Sequence, residues 1–230
     1  MTSSVRKDSV PELAILYKDR GTVALDKPEG LVSIPDRSQD GRDVRSLAEK
    51  QLGEPLWTVH RIDKPVSGVL VFARTECRHR ELSLQFQERH IRKEYLALVH
   101  GEIRGTRGRI SSRLRTFGSG RVGVDENRGK ECLTEYRVLG TENGYSLIQI
   151  FPRTGRRHQI RAHLYSIGSP IVGDDRYGEE PLQKGFPRLM LHARRIHLPA
   201  SQQTGFAIES PVPTSFLDAL EMLMVRIDCV

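Results

Sequence analysis

The apolar positions fall into short alternating runs and a few helical stripes, separated by polar turns. Ile15 to Tyr17 and Thr22 to Leu25 predict two strands split by the turn Lys18-Asp19-Arg20-Gly21. The second runs on as Leu25-Asp26-Lys27-Pro28-Glu29-Gly30-Leu31 into a Pro/Gly turn. After a polar loop from Ser33 to Asp43, Asp43 is placed to cap a helix through Leu52, with Val44, Leu47, Ala48 and Leu52 on one face. Val69 to Ala73 is apolar and β-branched enough for a buried strand. Glu76 to Arg89 reads as a helix with a poor stripe of Leu82, Leu84 and Phe86. Lys93 to Gly101, Thr134 to Leu139 and Tyr145 to Phe151 read as strands.

Further on, Thr154 is a candidate N-cap for a helix that places Ile160, Leu164 and Ile167 on an apolar face and Arg157 and Arg161 on another. Val172 to Gly178 reads as a turn and Leu191 to Leu198 as a core strand. Ser215 to Val225 predicts a closing helix with Phe216, Leu217, Leu220 and Met224 inward. Residues 1–10 are polar and read as a flexible tail, leaving 11–230 as one domain. The strand count fits an α+β sheet protein without choosing its topology.

Charge changes the picture. With 230 residues and a net charge of +7, a pI near 9.5 and a mean hydropathy of −0.44, the chain calls for a polyanionic partner, although composition alone does not separate nucleic acid from acidic membrane. Cys77, Cys132 and Cys229 are far apart and suggest neither a disulfide framework nor a zinc site. No stretch approaches the ~20 apolar residues of a membrane span, and the N-terminus has no apolar signal core. Two basic stretches stand out. Between Glu102 and Asp125 there is no acid but six arginines, Arg113 and Arg115 among them, interrupted by Gly105, Gly108, Gly118, Gly120 and Gly123. That composition reads as a flexible, phosphate-contacting loop, or as a solvated face. The second stretch, between Phe151 and Asp174, holds four arginines and again no acid.

The densest chemistry lies just before the buried strand. His60, Arg61, Asp63 and Lys64 precede Pro65 and Gly68, so one carboxylate sits among three potential cations in a shaped turn. Opposite charge nearby favours the ionised form, and an ionised Asp without a second acid suits a nucleophile or base. Taken alone, an Asp ahead of Lys-Pro also serves as an ordinary turn residue.

His60-Arg61-Ile62-Asp63, followed by Ser67-Gly68-Val69-Leu70-Val71-Phe72-Ala73, resembles the catalytic signature of the RNA pseudouridine synthases of the RluA type, with Ile62 for the usual Leu and Val66 where Thr is common. Arg153-Thr154-Gly155-Arg156-Arg157-His158-Gln159-Ile160-Arg161-Ala162-His163 resembles that family's second motif nearly letter for letter. Supporting segments occur in the same order: the turn at Lys27-Pro28 (Asp26 replacing Asn), the strand around Tyr95, and the segments at Gly173-Asp174 and Leu191-His192-Ala193. The resemblance covers about residues 22 to 210.

It implies a mixed, largely antiparallel sheet flanked by helices, with a cleft across it. It implies a reaction in which uracil leaves ribose at N1, turns in place and rejoins through C5, with no cofactor and no metal. Asp63 would attack C1′ or remove the C2′ proton, Arg161 would pair with Asp63, and Tyr95 would face the uracil. Arg61 would fill the gap left by a flipped nucleotide, and His60, Arg113, Arg115, Arg156, Arg157 and His158 would contact RNA. The spacing of His158 and His163 puts them on different helix faces, which argues against zinc. The expected partner is a stem-loop of rRNA or tRNA, met by a cytoplasmic monomer with no separate N-terminal RNA-binding domain. Rival readings are a catalytically silent RNA-binding relative and a glycosidic-bond hydrolase, which would need a second carboxylate or an activated water.

Overall fold

Ser67–Ala73 (β4) is buried at every position, which requires cover on both faces. Alternate residues meet different partners. Leu70 and Phe72 join Val44 and Ala48 of the helix Val44–Leu52 (α1), whereas Val69, Val71 and Ala73 join Leu82 of the helix Glu76–Gln87 (α2). Each buried aliphatic or aromatic side chain contributes about 1.5–3 kcal/mol, so this strand fixes both helices. Asp43 caps α1 by accepting from the Ser46 amide, and Thr75 caps α2 through Arg78.

The computed structural model describes residues 12–35, 42–199 and 205–225. The tail at 1–10 and Cys229 lie outside them, as does much of the polar loop before Asp43. The described strands form one sheet. Ile15–Lys18 (β1) and Thr22–Lys27 (β2) lead to β4, then Leu191–Leu198 (β10), Arg92–His100 (β5), Tyr145–Pro152 (β9), Lys130–Glu142 (β8), Arg107–Thr116 (β6) and Val122–Val124 (β7). Trp57–Thr58 (β3) pairs with β4, and Phe206–Glu209 (β11) with β10. Only β4 with β10 is parallel among these strand pairs. The sheet is mixed and largely antiparallel, with flanking helices that include Gln159–Ser166 (α3), Glu180–Gln183 (α4) and Thr214–Met222 (α5).

Four expectations need correction. The region read as a flexible Arg loop is largely β6 and β7, with β6 held by ladder bonds to β7 on one side and to β8 on the other. Thr154 does not cap α3: its hydroxyl donates to the Gln159 side chain and accepts from Leu133, and the helix begins only at Gln159. Arg157 therefore precedes the helix and is exposed, while Arg161 is buried, so they share no face; Ile167 is exposed at the helix end. In α5, Phe216 and Leu220 are buried, but Leu217 is exposed, and Met224 lies beyond the helix and is exposed.

Candidate active site

Asp63 sits in the turn entering β4, and that turn is tied to the Pro/Gly turn after β2. Ser33 Oγ donates to the Ile62 carbonyl at 2.7 Å and accepts from the Ile62 amide at 3.1 Å. The fully buried Lys27 donates through Nζ to the carbonyls of Pro28, Leu31 and Lys64, and Gly30 donates to Lys64. The carbonyls on either side of Asp63 are thus held by the early turn, which fixes the carboxylate without touching it.

A cavity of ≈ 510 Å³ opens above this turn, lined by Asp63, Tyr95, Lys93, His158 and Arg161 among others. Arg61, Arg89, Arg153 and Arg156 are exposed where they line it. Of the residues expected at the site, the structure brings Asp63, Tyr95, Arg161, His60, Arg61, Arg156 and His158 to this one cavity. Arg113, Arg115 and Arg157 do not line it. Arg113 Nε donates to the Gly129 carbonyl and Arg115 pairs with Asp125 at 3.1 Å.

The Arg161–Asp63 pairing is looser than expected. Arg161 Nη1 lies 3.9 Å from Asp63 Oδ2, while its tight partner is Asp174, engaged through Nε at 2.8 Å and Nη2 at 2.6 Å. Both members of that pair are buried. Asp174 Oδ1 also accepts from the amides of Arg176 and Tyr177, and the guanidinium lies over the Tyr177 ring. Asp174 thus orients Arg161, leaving Nη1 towards Asp63. Burial works against the charged guanidinium, but Asp174 first and Asp63 after it raise the Arg161 pKa above its ordinary value.

His158 adopts a left-handed backbone, φ 50°, at the entrance to α3, which sets its ring between Asp63 and Tyr177. Its Nε2 is 3.8 Å from Asp63 Oδ2, and its Nδ1 is 3.1 Å from the Tyr177 hydroxyl. That hydroxyl accepts from the Val122 amide; when it donates its own proton to Nδ1, the neutral ring carries its proton on Nε2, facing Asp63. Burial lowers the His158 pKa against the opposing pull of Asp63. Tyr95 is pushed well above the ordinary phenol range by burial, then by Asp63, so it stays protonated. Asp63 therefore has two donors at ion-pair distance, neither close enough for a hydrogen bond; its oxygens remain available to a substrate.

His60 lines the cavity and is also tied to the strand behind it. Its Nε2 accepts from the Val71 amide at 3.0 Å and its ring stacks on Phe86; burial lowers its pKa to about 3. It braces the turn from behind, as a neutral ring.

Sequence reasoning missed the parts played by Asp174, Tyr177 and Lys93. The first two lie in a Gly-Asp-x-x-Tyr-Gly segment whose spacing was the available signal. Lys93 lies two residues before Tyr95, hence on the same side of β5, and burial lowers its pKa.

Comparison with known proteins identifies the family. Residues 21–166 match the family described as RNA pseudouridylate synthase. The chain is 34% identical over 187 residues to the dual-specificity RNA pseudouridine synthase RluA of Yersinia pestis, covering 80% of this chain and 91% of that protein. It is 33% identical over 235 residues to tRNA pseudouridine synthase C of Pasteurella multocida, covering 91% and 96%. The solved structure of human RNA pseudouridylate synthase domain containing 1 superposes with a TM-score of 0.76 at 27% identity, covering 91% of this chain and 87% of that one. The family match, the sequence likeness and the superposed fold place the chain in the RNA pseudouridylate synthase family, RluA-type branch, as an RNA-modifying isomerase.

Proposed function

We propose that the chain converts a uridine in structured rRNA or tRNA to pseudouridine, with Asp63 as the residue that acts on the ribose. The observation that carries this is the Asp63 carboxylate, held by its backbone at the cavity floor with Arg161 and His158 near one oxygen and no second acid among the cavity's lining residues. The relatives' names point to both RNA classes, one being described as a ribosomal large subunit enzyme and another as a tRNA enzyme.

In this reading the N1–C1′ bond breaks, a C5–C1′ bond forms, and the proton lost from C5 is balanced by one gained at N1. There is no net electron transfer, so the reaction calls for no redox partner. Asp63 either attacks C1′ or removes the C2′ proton. Arg161 and the His158 Nε2–H steady its charge as it reacts, and the protonated Tyr95 packs against the uracil. A nucleotide stacked in a duplex cannot enter a cavity of ≈ 510 Å³, so the target is turned out of its helix, with Arg61 at the mouth taking its place.

Among the described residues no three His, Cys, Asp or Glu side chains are grouped as metal ligands, and we expect a prefolded substrate to react unchanged in excess chelator. The same reading has the enzyme work as a cytoplasmic monomer; no described helix is long and apolar enough to cross a membrane. The test is to map pseudouridines in RNA from cells with and without the gene. One or a few sites should disappear and return with the wild-type gene. Unchanged maps, or release of free uracil by the purified protein, would overturn the reading.

A further inference from the structure

A second cavity, of ≈ 660 Å³, borders β5, β9, β8 and β6 and takes no part in the chemistry above. Strand alternation shows which side of the sheet its charges occupy. Tyr95 faces the Asp63 cavity, so Arg92 and Glu94 project the other way. Ladder register carries that assignment across the sheet: Leu96 opposes Gln149, Gln149 opposes Arg137, and Arg137 opposes Arg107. The Gln149 amide accordingly donates to Glu94 at 2.9 Å. Arg92, Arg107, Arg109 and Arg137 therefore share the reverse face, while Arg89, Lys93 and Arg153 border both cavities at the end of the sheet.

The acids here are already engaged. Glu94 holds Arg195 and His197, and Glu135 holds Arg153. Among the described residues Arg92, Arg107, Arg109 and Arg137 have no ion-pair partner. Arg107 and Arg137 are direct cross-strand partners, an arrangement of like charges that weakens a sheet. Four unpaired guanidinium forks on one concave face, two of them opposed, fit a ligand bearing several phosphates.

We propose that this reverse face is a second RNA-backbone site, holding phosphates of the same substrate molecule at a distance from the reacting uridine. The flanking strand passes round the end of the sheet along Arg89 and Arg153. The proposal rests on the RNA-isomerase reading and deepens it, because it makes substrate choice depend on RNA beyond the target loop.

The test uses the full chain with two labelled RNAs, a short stem-loop carrying the target uridine and the same stem-loop with an extended flank. Binding is measured against salt for wild type, Arg107→Gln/Arg137→Gln, and Arg80→Gln, an exposed control on α2. The double variant should bind the long RNA about tenfold or more weakly near ~0.1 M salt, with the log–log slope reduced by about 1.4–1.8. The short RNA and the control should not change, and single-turnover conversion of saturated complexes should match wild type. An unchanged slope on the long RNA, or equal losses on both RNAs, would overturn the proposal. The free double variant should melt at or above the wild-type temperature, since opposed charges are relieved; a lower temperature would mean these arginines are already paired, and would also overturn it. If wild type makes no pseudouridine, the reaction reading has failed instead.

Discussion

The Arg161–Asp174 pair offers the most quantitative test of how the site is held. Asp174→Asn keeps the side chain's size and keeps Oδ1 as acceptor for the Arg176 and Tyr177 amides. It replaces the oxygen facing Arg161 Nε with an N–H donor, leaving a guanidinium that is only 4% exposed without its buried counter-charge. Removing one member of a buried ion pair costs about 3–5 kcal/mol, a large share of the roughly 5–15 kcal/mol that stabilises a domain. The freed guanidinium also has a new partner within reach, Asp63, 3.9 Å away. Closing that gap would occupy the carboxylate proposed to act on ribose. We expect urea unfolding to show the loss of about 3–5 kcal/mol and single-turnover conversion to fall at least about tenfold, equivalent to ~1.4 kcal/mol in the barrier. Combining it with Arg161→Met removes both charges, so the double variant should recover part of the stability but none of the turnover. An Asp174→Asn protein within about 1 kcal/mol of wild type and fully active, or a double variant no more stable than the single, would refute the reasoning.

Two further outcomes follow from the fold. Burial lowers the pKa of His60 to about 3 and those of His163 and His192 to about 4. These rings stay neutral in the native state while they protonate in the unfolded chain near pH ~6.5. Their contribution is complete above that pH and is lost as pH falls towards their native values, by at most about 1.4 kcal/mol per pH unit for each ring. His60→Gln retains an acceptor for the Val71 amide and should flatten the dependence of unfolding free energy on pH between about 6 and 4; an unchanged slope would contradict the neutral assignment. Gly68 has φ 114° and a Cβ there would overlap the Ala193 carbonyl oxygen where β4 meets β10. Gly68→Ala should cost more than about 3 kcal/mol or prevent folding, read by thermal unfolding, and a near-wild-type melting temperature would be contrary.

The legible parts of the sequence were those with a regular apolar period. β4, β5, β8, β9 and α1 follow from runs or stripes that their cores confirm, whereas of the poor stripe read for α2 Leu82 is buried and Leu84 exposed. β6 was hidden because only two of its inward positions, Ile110 and Leu114, are apolar, while Gly108 and Ser112 occupy the inward positions beside them, so the alternation of burial is not one of hydrophobicity. The start of α3 was misplaced because Gln159 turns its side chain back to Thr154, Arg156 and Leu133, a tertiary device with no propensity signal. Motif reading put Asp63 and Arg161 in one site but did not show that Asp174 holds Arg161, since that contact depends on how the turn after α3 folds back. The bond from the Val71 amide to the His60 ring was likewise not legible in the motif.

The central claim is that Asp63 performs the chemistry while other groups hold the RNA. Asp63→Asn removes the charge with little change of shape, and its backbone carbonyl contact to Val66 is unaffected. Pseudouridine yield and RNA affinity should be measured on the same folded variant. Conversion should vanish while affinity stays within about tenfold, or ~1.4 kcal/mol. Conversion above a trace by a homogeneous Asp63→Asn sample would contradict it.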